Sequence, residues 1–233
     1  MNYMTLGYEN ILTFFLFFIG IIVVGYAQYK MSASYQKYKR ISGKGKVAGV
    51  EVARKILDAN GLSKIHVLET KGELTDHYDP SRKVIRLSRE VFNGESIASV
   101  SIAAHECGHA IQDKEGYTFM KIRSALVPVV NLVTYIGYGV AILSLFFGVI
   151  GYLKVGIVMV LAALLFQLIT LPVEFDASKR ALKQLEKLDI IDKKEIEGAR
   201  EMLSAAAFTY VASFISSIIS LLRLIIMVGN RDE

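Results

Sequence analysis

A single cysteine, Cys107, rules out an internal disulfide, and alone it says little about compartment. Charge is scarce as well. Only 21% of the 233 residues are Asp, Glu, Lys or Arg, and they cluster, leaving long stretches with none. That is not the profile of a soluble enzyme. With 53% hydrophobic residues and a mean hydropathy of +0.41, the chain reads as a membrane protein with one modest polar domain. The net charge of +5 comes from basic residues set beside apolar segments. This pattern orients a protein in a bilayer and does not mark nucleic-acid binding, so the expected partner is lipid and no nucleic acid is expected.

Ile11 to Ala27 carries no charge and is long enough to span a bilayer, with Tyr8 and Tyr26 or Tyr29 suited to the two interfaces. A cleaved signal peptide is disfavoured because no Lys or Arg precedes the run and no small-x-small site follows promptly. Lys30, Lys37, Lys39, Arg40, Lys44 and Lys46 come next, which puts the N-terminus outside and this segment in the cytoplasm. Ser42-Gly43-Lys44-Gly45 lacks the rest of a phosphate-binding loop and reads as a flexible joint.

Val47 to Asn60 has the apolar spacing of an amphipathic helix, ended by Gly61. Ile65 to Leu68 is a short strand. Leu74 to Tyr78 and Lys83 to Leu87 flank the turn Asp79-Pro80-Ser81-Arg82 and predict a hairpin. Ser96 is placed to cap a helix running to Gln112. Leu126 to Leu153 and Val155 to Val173 predict a transmembrane hairpin turning around Gly151 to Gly156, with Pro128 and Pro172 near its cytoplasmic ends. From Lys179 to Arg200 the chain reads as two cytoplasmic helices broken at Asp189 to Asp192. Leu203 to Val228 is a fourth spanning segment, rich in Ala and Ser, that must accommodate Arg223. A re-entrant or interfacial helix is its rival.

Chemistry concentrates in the helix from Ser96. His105-Glu106-Cys107-Gly108-His109 has the H-E-x-x-H spacing of zinc peptidases. Residues four apart share a helix face, so His105 and His109 can present two imidazoles to one ion. Glu106, beside that face, can take a proton from the attacking water. Small residues at Ala98, Ala103, Ala104, Gly108 and Ala110 allow other elements close. Cys107 faces away from the histidines as a buried small residue. A polar helix face with two merely hydrogen-bonded histidines is the plainer alternative.

A catalytic zinc site needs a third protein ligand, and no histidine follows His109. The spanning hairpin returns the chain to the same side of the membrane at Leu171 to Ser178, where Glu174 and Asp176 follow a long uncharged run. Glu174 is the expected third ligand. Asp176 competes for that place, or braces a ligand histidine from behind. His77 reads either as a hydrogen-bonded strand residue or as a contact to the substrate or oxyanion, since an extended peptide docks readily on a sheet edge. Tyr78, Tyr210 and Arg180 are other candidate oxyanion donors, while His66 reads as an ordinary strand or surface residue.

The H-E-x-x-H block from Ala103 to Gln112, the downstream Leu171-Pro172-Val173-Glu174-Phe175-Asp176-Ala177-Ser178 and Leu74 to Pro80 resemble the YugP-like bacterial membrane zinc metallopeptidases, relatives of the HtpX and Ste24 type gluzincins. The resemblance covers nearly the whole chain. It implies zinc held by His105, His109 and Glu174, with Glu106 as general base. The HtpX type usually has Glu-x-x-Ala-Asp at the third-ligand helix. Ser178 stands here in place of that last Asp, leaving Asp176 as its substitute. The fold class expected is a mainly α integral membrane protein with about four transmembrane helices. It carries a small cytoplasmic α+β, zincin-like catalytic domain built from the H-E-x-x-H helix and a short hairpin.

The expected division is an N-terminal transmembrane helix at 1–29, a catalytic region at 30–124, a transmembrane hairpin at 125–173, a cytoplasmic helical region with the third ligand at 174–202, and a C-terminal transmembrane helix and tail at 203–233. Expected location is the bacterial plasma membrane, and the expected substrates are peptides or membrane and membrane-near proteins. The sequence leaves self-association or a regulatory membrane partner open. The rival functions are a zinc-binding membrane scaffold without turnover, against which Glu106 speaks, and a transporter, for which four spans are few.

Overall fold

The computed structural model describes residues 3–43, 45–147 and 152–229. Seven helices and one small sheet make up this part of the chain. They are α1 (Tyr3–Lys39), α2 (Gly49–Ala59), β1 (His66–Thr70), β2 (His77–Asp79), β3 (Val84–Ser88), α3 (Arg89–Asn93), α4 (Ile97–Lys114), α5 (Thr118–Phe147), α6 (Tyr152–Lys187) and α7 (Lys193–Gly229). Among the described residues, four helices are long and apolar enough to cross a membrane: Ile11–Lys39, Thr118–Gly137, Lys154–Lys187 and Lys193–Val228. The protein is a mainly α, multi-pass membrane protein with a small α+β region.

The chain separates into two units. The first comprises Met1–Gln28, Ala125–Thr170 and Thr209–Glu233. Its described side chains put Phe14, Phe15, Ile22, Leu132, Tyr135, Leu165 and Ile225 on the surface. A surface this apolar calls for lipid, and only helices with internally satisfied backbones stand in lipid. Arg223, costly in such surroundings, donates from Nε to the Thr13 carbonyl at 3.0 Å and lies over the Phe17 ring at 4.8 Å.

The second unit comprises Tyr29–Ser124 and Leu171–Phe208. In α2 the apolar residues Val52, Ala53, Ile56 and Leu57 recur on one face and are fully buried. That face packs on α4. Gly61, with φ +65°, ends α2 in the left-handed region where a side chain is strained. The sheet has the order β1-β3-β2. Central β3 pairs parallel with β1 (His66 opposite Val84) and antiparallel with β2 (Tyr78 opposite Ile85). Val84, Ile85 and Leu87 bury β3, whereas β2 forms an edge. Asp76 fastens the two, accepting from the Ser88 N–H at 2.7 Å and from the Ser88 hydroxyl.

Several elements differ from the sequence reading. The strand near residue 65 begins at His66 and runs to Thr70, and it finds a parallel partner in β3 across the β2 excursion. Ser88 leads into the short helix α3, which local pattern did not indicate. α6 is already helical from Tyr152, so residues 152–156 are not the expected turn; the rest of that expectation, at Gly151, lies outside the described residues, as do Lys44 and the Arg231–Glu233 tail. Around Lys44, Ser42 bridges to Ser96, and the Gly43 N–H donates to the Glu95 carbonyl at 2.8 Å.

The largest difference is continuity. The apolar run to Val173 and the charged stretch beyond it form one helix, α6, and the segments on either side of Leu203 form another, α7. A change from apolar to polar side chains alters what surrounds a helix but does not break its backbone hydrogen bonds. The break before α7 is where it was expected: Asp192 Oδ1 accepts the Glu195 N–H, and Glu195 Oε2 accepts the Asp192 N–H, a reciprocal cap.

Ser96 Oγ accepts the Ser99 N–H at 3.1 Å and satisfies an orphan donor at the start of α4. Ser96→Ala should destabilise the protein by about 1 kcal/mol, read as a lower thermal midpoint in detergent. An unchanged midpoint would mean that another group takes over the cap.

Candidate metal centre

α4 and α6 build the centre, and they meet because both are lined with small residues. Ala103, Ala104 and Ala110 on α4, and Ala177 and Ala181 on α6, are all buried. At Gly108 the approach is closest: a Cβ there would stand 2.5 Å from the Ala177 carbonyl oxygen, so only glycine admits the α6 backbone.

This contact brings His105, His109 and Glu174 together. One potential ligand atom from each lies within 4.8 Å of the others. The Glu174 Oε2 atom is 3.2 Å from His105 Nε2 and 3.6 Å from His109 Nε2. Donors bound about 2.1 Å from a tetrahedral ion stand about 3.4 Å apart, so the spacing fits a divalent metal. The imidazole rings are set edge to face, with centroids 4.7 Å apart.

The hydrogen bonds behind the cluster support the same reading. Gln112 Nε2 donates to the Val173 carbonyl and to Asp176 Oδ2, each at 2.8 Å. Its amide oxygen must therefore face His109, whose Nδ1 lies 3.0 Å away and donates to it. In a neutral ring this leaves the Nε2 lone pair aimed at a carboxylate oxygen, which is repulsive unless a cation lies between. Ser178 Oγ lies 3.2 Å from His105 Nδ1 and orients the second ring. Asp176 thus reaches His109 only through Gln112, while its other contact is Arg180, at 2.5 Å.

Glu174 is nearly inaccessible, at 2% exposure. Its outer oxygen, Oε1, has the Arg123 guanidinium at 3.1 Å, but the contact is not directed as a hydrogen bond. Glu106 is buried beside the histidines. Burial is the main reason its pKa is pushed up to about 7; the charges of Glu174 and Asp76 raise it further, against the opposing pull of His105 and the Tyr78 N–H. Cys107 turns the other way, its thiol 3.6 Å from the Ala53 carbonyl.

His77, Tyr78 and Arg180 have polar partners away from the cluster. His77 is exposed, and its Nδ1 pairs with the Thr75 carbonyl at 2.8 Å. The Tyr78 hydroxyl donates to Asp113 at 2.7 Å, and Lys83 also reaches Asp113. Arg180 pairs with both Asp176 and Glu115. Tyr210 belongs to the other unit, and His66 stands on β1. Sequence reasoning missed Gln112, Ser178 as a histidine partner, and Arg123. The first two were open to it, since Gln112 lies one turn past His109 and Ser178 one turn past Glu174. Arg123 had no local signal.

A pair of helical histidines, a glutamate from a second helix and a buried carboxyl beside them, on a multi-pass scaffold, define a zinc-dependent metallopeptidase of the membrane. The chain belongs to the family described as "Putative neutral zinc metallopeptidase", which matches residues 13–229. Among curated proteins it is similar to the "Putative membrane protease YugP" of Bacillus subtilis (strain 168), with 41% identity over 220 residues that cover 93% of this chain and 98% of that protein. No solved structure matches it.

Gln112→Leu should weaken metal binding on the order of 10–100-fold, since the partner that fixes the His109 ring is lost. Competition with a chromophoric chelator measures this. Wild-type affinity would show that His109 needs no such partner.

Proposed function

We propose that the protein is a zinc-dependent endopeptidase in which His105 Nε2, His109 Nε2 and Glu174 Oε2 hold the metal and Glu106 is the general base. The observation that carries this reading is the convergence of the three ligand atoms within 4.8 Å, with Glu106 buried alongside. Two imidazoles and one carboxylate are a donor set suited to zinc, which supplies Lewis acidity that acidifies a water and polarises a carbonyl.

The chain's own groups then have distinct tasks. Gln112 and Ser178 hold the two rings with Nε2 pointing inward. Glu106, buried with its pKa pushed up to about 7, takes a proton from the attacking water and returns it to the departing amine. The outer edge of β2 offers backbone groups to an extended substrate, and Asp176 steadies Gln112 from behind. His77, at the start of that edge strand, is suited to touch the substrate rather than the metal.

The substrates in this reading are membrane proteins or peptides near the bilayer. The four candidate spans support this, as does the similarity to a Bacillus protein named a putative membrane protease. The basic run Lys30, Lys37, Lys39 and Arg40 supports an outside N-terminus and a cytoplasmic catalytic region in a bacterial plasma membrane. The chain then divides into a helix at 1–29, a catalytic region at 30–124, a spanning hairpin at 125–173, a cytoplasmic region at 174–202 and a last span and tail at 203–233.

Zinc-loaded protein in detergent should cleave members of a mixed peptide and casein panel. Glu106→Gln, with equal zinc, should lose on the order of 10²–10⁴-fold in rate, and chelation should stop cleavage until zinc is restored. Equal background in wild type and variant, both full of zinc, would favour a scaffold that binds metal without turnover.

A further inference from the structure

When water attacks a peptide carbonyl, charge gathers on the carbonyl oxygen, and a preorganised donor aimed there is usually the largest single aid to catalysis. Three of the side chains that suggest themselves in the sequence already have a polar atom committed. The Tyr78 hydroxyl donates to Asp113, His77 Nδ1 to the Thr75 carbonyl, and Arg180 is held by Asp176 and Glu115.

Arg123 differs from all of these. Its guanidinium lies 3.1 Å from Glu174 Oε1, the carboxylate oxygen turned away from the histidines, and its side chain remains 27% exposed. Among the described residues, Glu174 is its one charged partner, and Oε1 receives no directed hydrogen bond from it. A guanidinium carries five N–H donors in a rigid plane and keeps its charge at any working pH. Arg123 therefore places an undischarged set of donors directly beside the metal-binding carboxylate. A residue serving only to brace Glu174 would be expected to spend at least one donor on it in good geometry.

We propose that Arg123 is a catalytic residue that donates to the carbonyl oxygen of the scissile peptide as it becomes an oxyanion. This rests on the peptidase reading above and deepens it. The water oxygen bonds to the carbonyl carbon, one water proton passes to Glu106, and the carbonyl π pair moves onto oxygen, where the Arg123 N–H groups receive it. The pair then returns, the C–N bond breaks, and Glu106 delivers its proton to the departing nitrogen, leaving a carboxyl product and an amine.

The test uses full-length, zinc-loaded protein and one peptide cleaved by the wild type. Arg123→Ala and Arg123→Lys are compared for kcat, KM, zinc content and thermal midpoint. The expected result is a fall in kcat on the order of 10²–10³-fold, with KM within about threefold and zinc unchanged. Guanidine at millimolar concentration should restore part of the Arg123→Ala rate and leave the wild type unaffected. By calorimetry, a phosphinic peptide, which mimics the tetrahedral oxyanion, should lose affinity in step with kcat/KM, while a hydroxamate should not. Unchanged kcat, unchanged phosphinic affinity, or a rate loss that follows zinc loss would each overturn the assignment. If wild type cleaves and Glu106→Gln does not, such a result sinks the Arg123 role alone. A zinc-filled wild type that cleaves nothing sinks the peptidase reading and this role with it.

Discussion

The centre depends on one close approach of two backbones, Gly108 of α4 against the carbonyl of Ala177 on α6. Glu174 lies one turn before Ala177, and the two histidines flank Gly108 on its helix, so the distance between the helices sets the distance between the histidines and the carboxylate. The buried alanines on both sides make that distance short. Any larger residue at the contact would separate the helices and, with them, the imidazoles from the carboxylate. Packing and chemistry here are one constraint, and the absence of side-chain volume at Gly108 is as much a part of the site as the groups that bind.

Around that contact the protein buries polar groups in a chain whose members satisfy one another. Asp176 and the Val173 carbonyl fix the Gln112 amide, and the amide fixes the His109 ring. Such a chain is costly when half made, because each orphaned group keeps its desolvation penalty. It also removes the tautomeric freedom of the ring before any ion arrives. The organisation that metal capture would otherwise have to impose is supplied during folding.

Much of this was legible in the sequence, for reasons that can be stated. The H-E-x-x-H spacing places its histidines through helix geometry alone, Ser96 caps through local chemistry, and the turn at Asp79 to Arg82 follows from its residue types. The membrane-spanning segments follow from long runs without charge. Three features were not legible. The parallel pairing of β1 with β3 links strands separated by β2, and no local periodicity encodes a partner. The continuity of α6 and α7 was hidden because composition changes along them while helix propensity does not. Arg123 sits before the predicted hairpin, where a cation reads as a membrane-border charge, and only the docking of helices brings it to Glu174.

Cys107 has a consequence of a different kind. It lies between the two histidines in sequence, yet its sulfur faces the Ala53 carbonyl on the α2 side of the helix, and burial raises its thiol pKa. Thiolate is the form that captures soft metals, exchanges with disulfides and reacts with electrophiles. A thiol kept protonated and enclosed does none of these. The protein therefore carries sulfur next to the candidate metal-binding histidines without offering a rival coordination mode. Its hydrolytic centre should also keep working through swings in cellular redox state that would disable a cysteine-dependent peptidase.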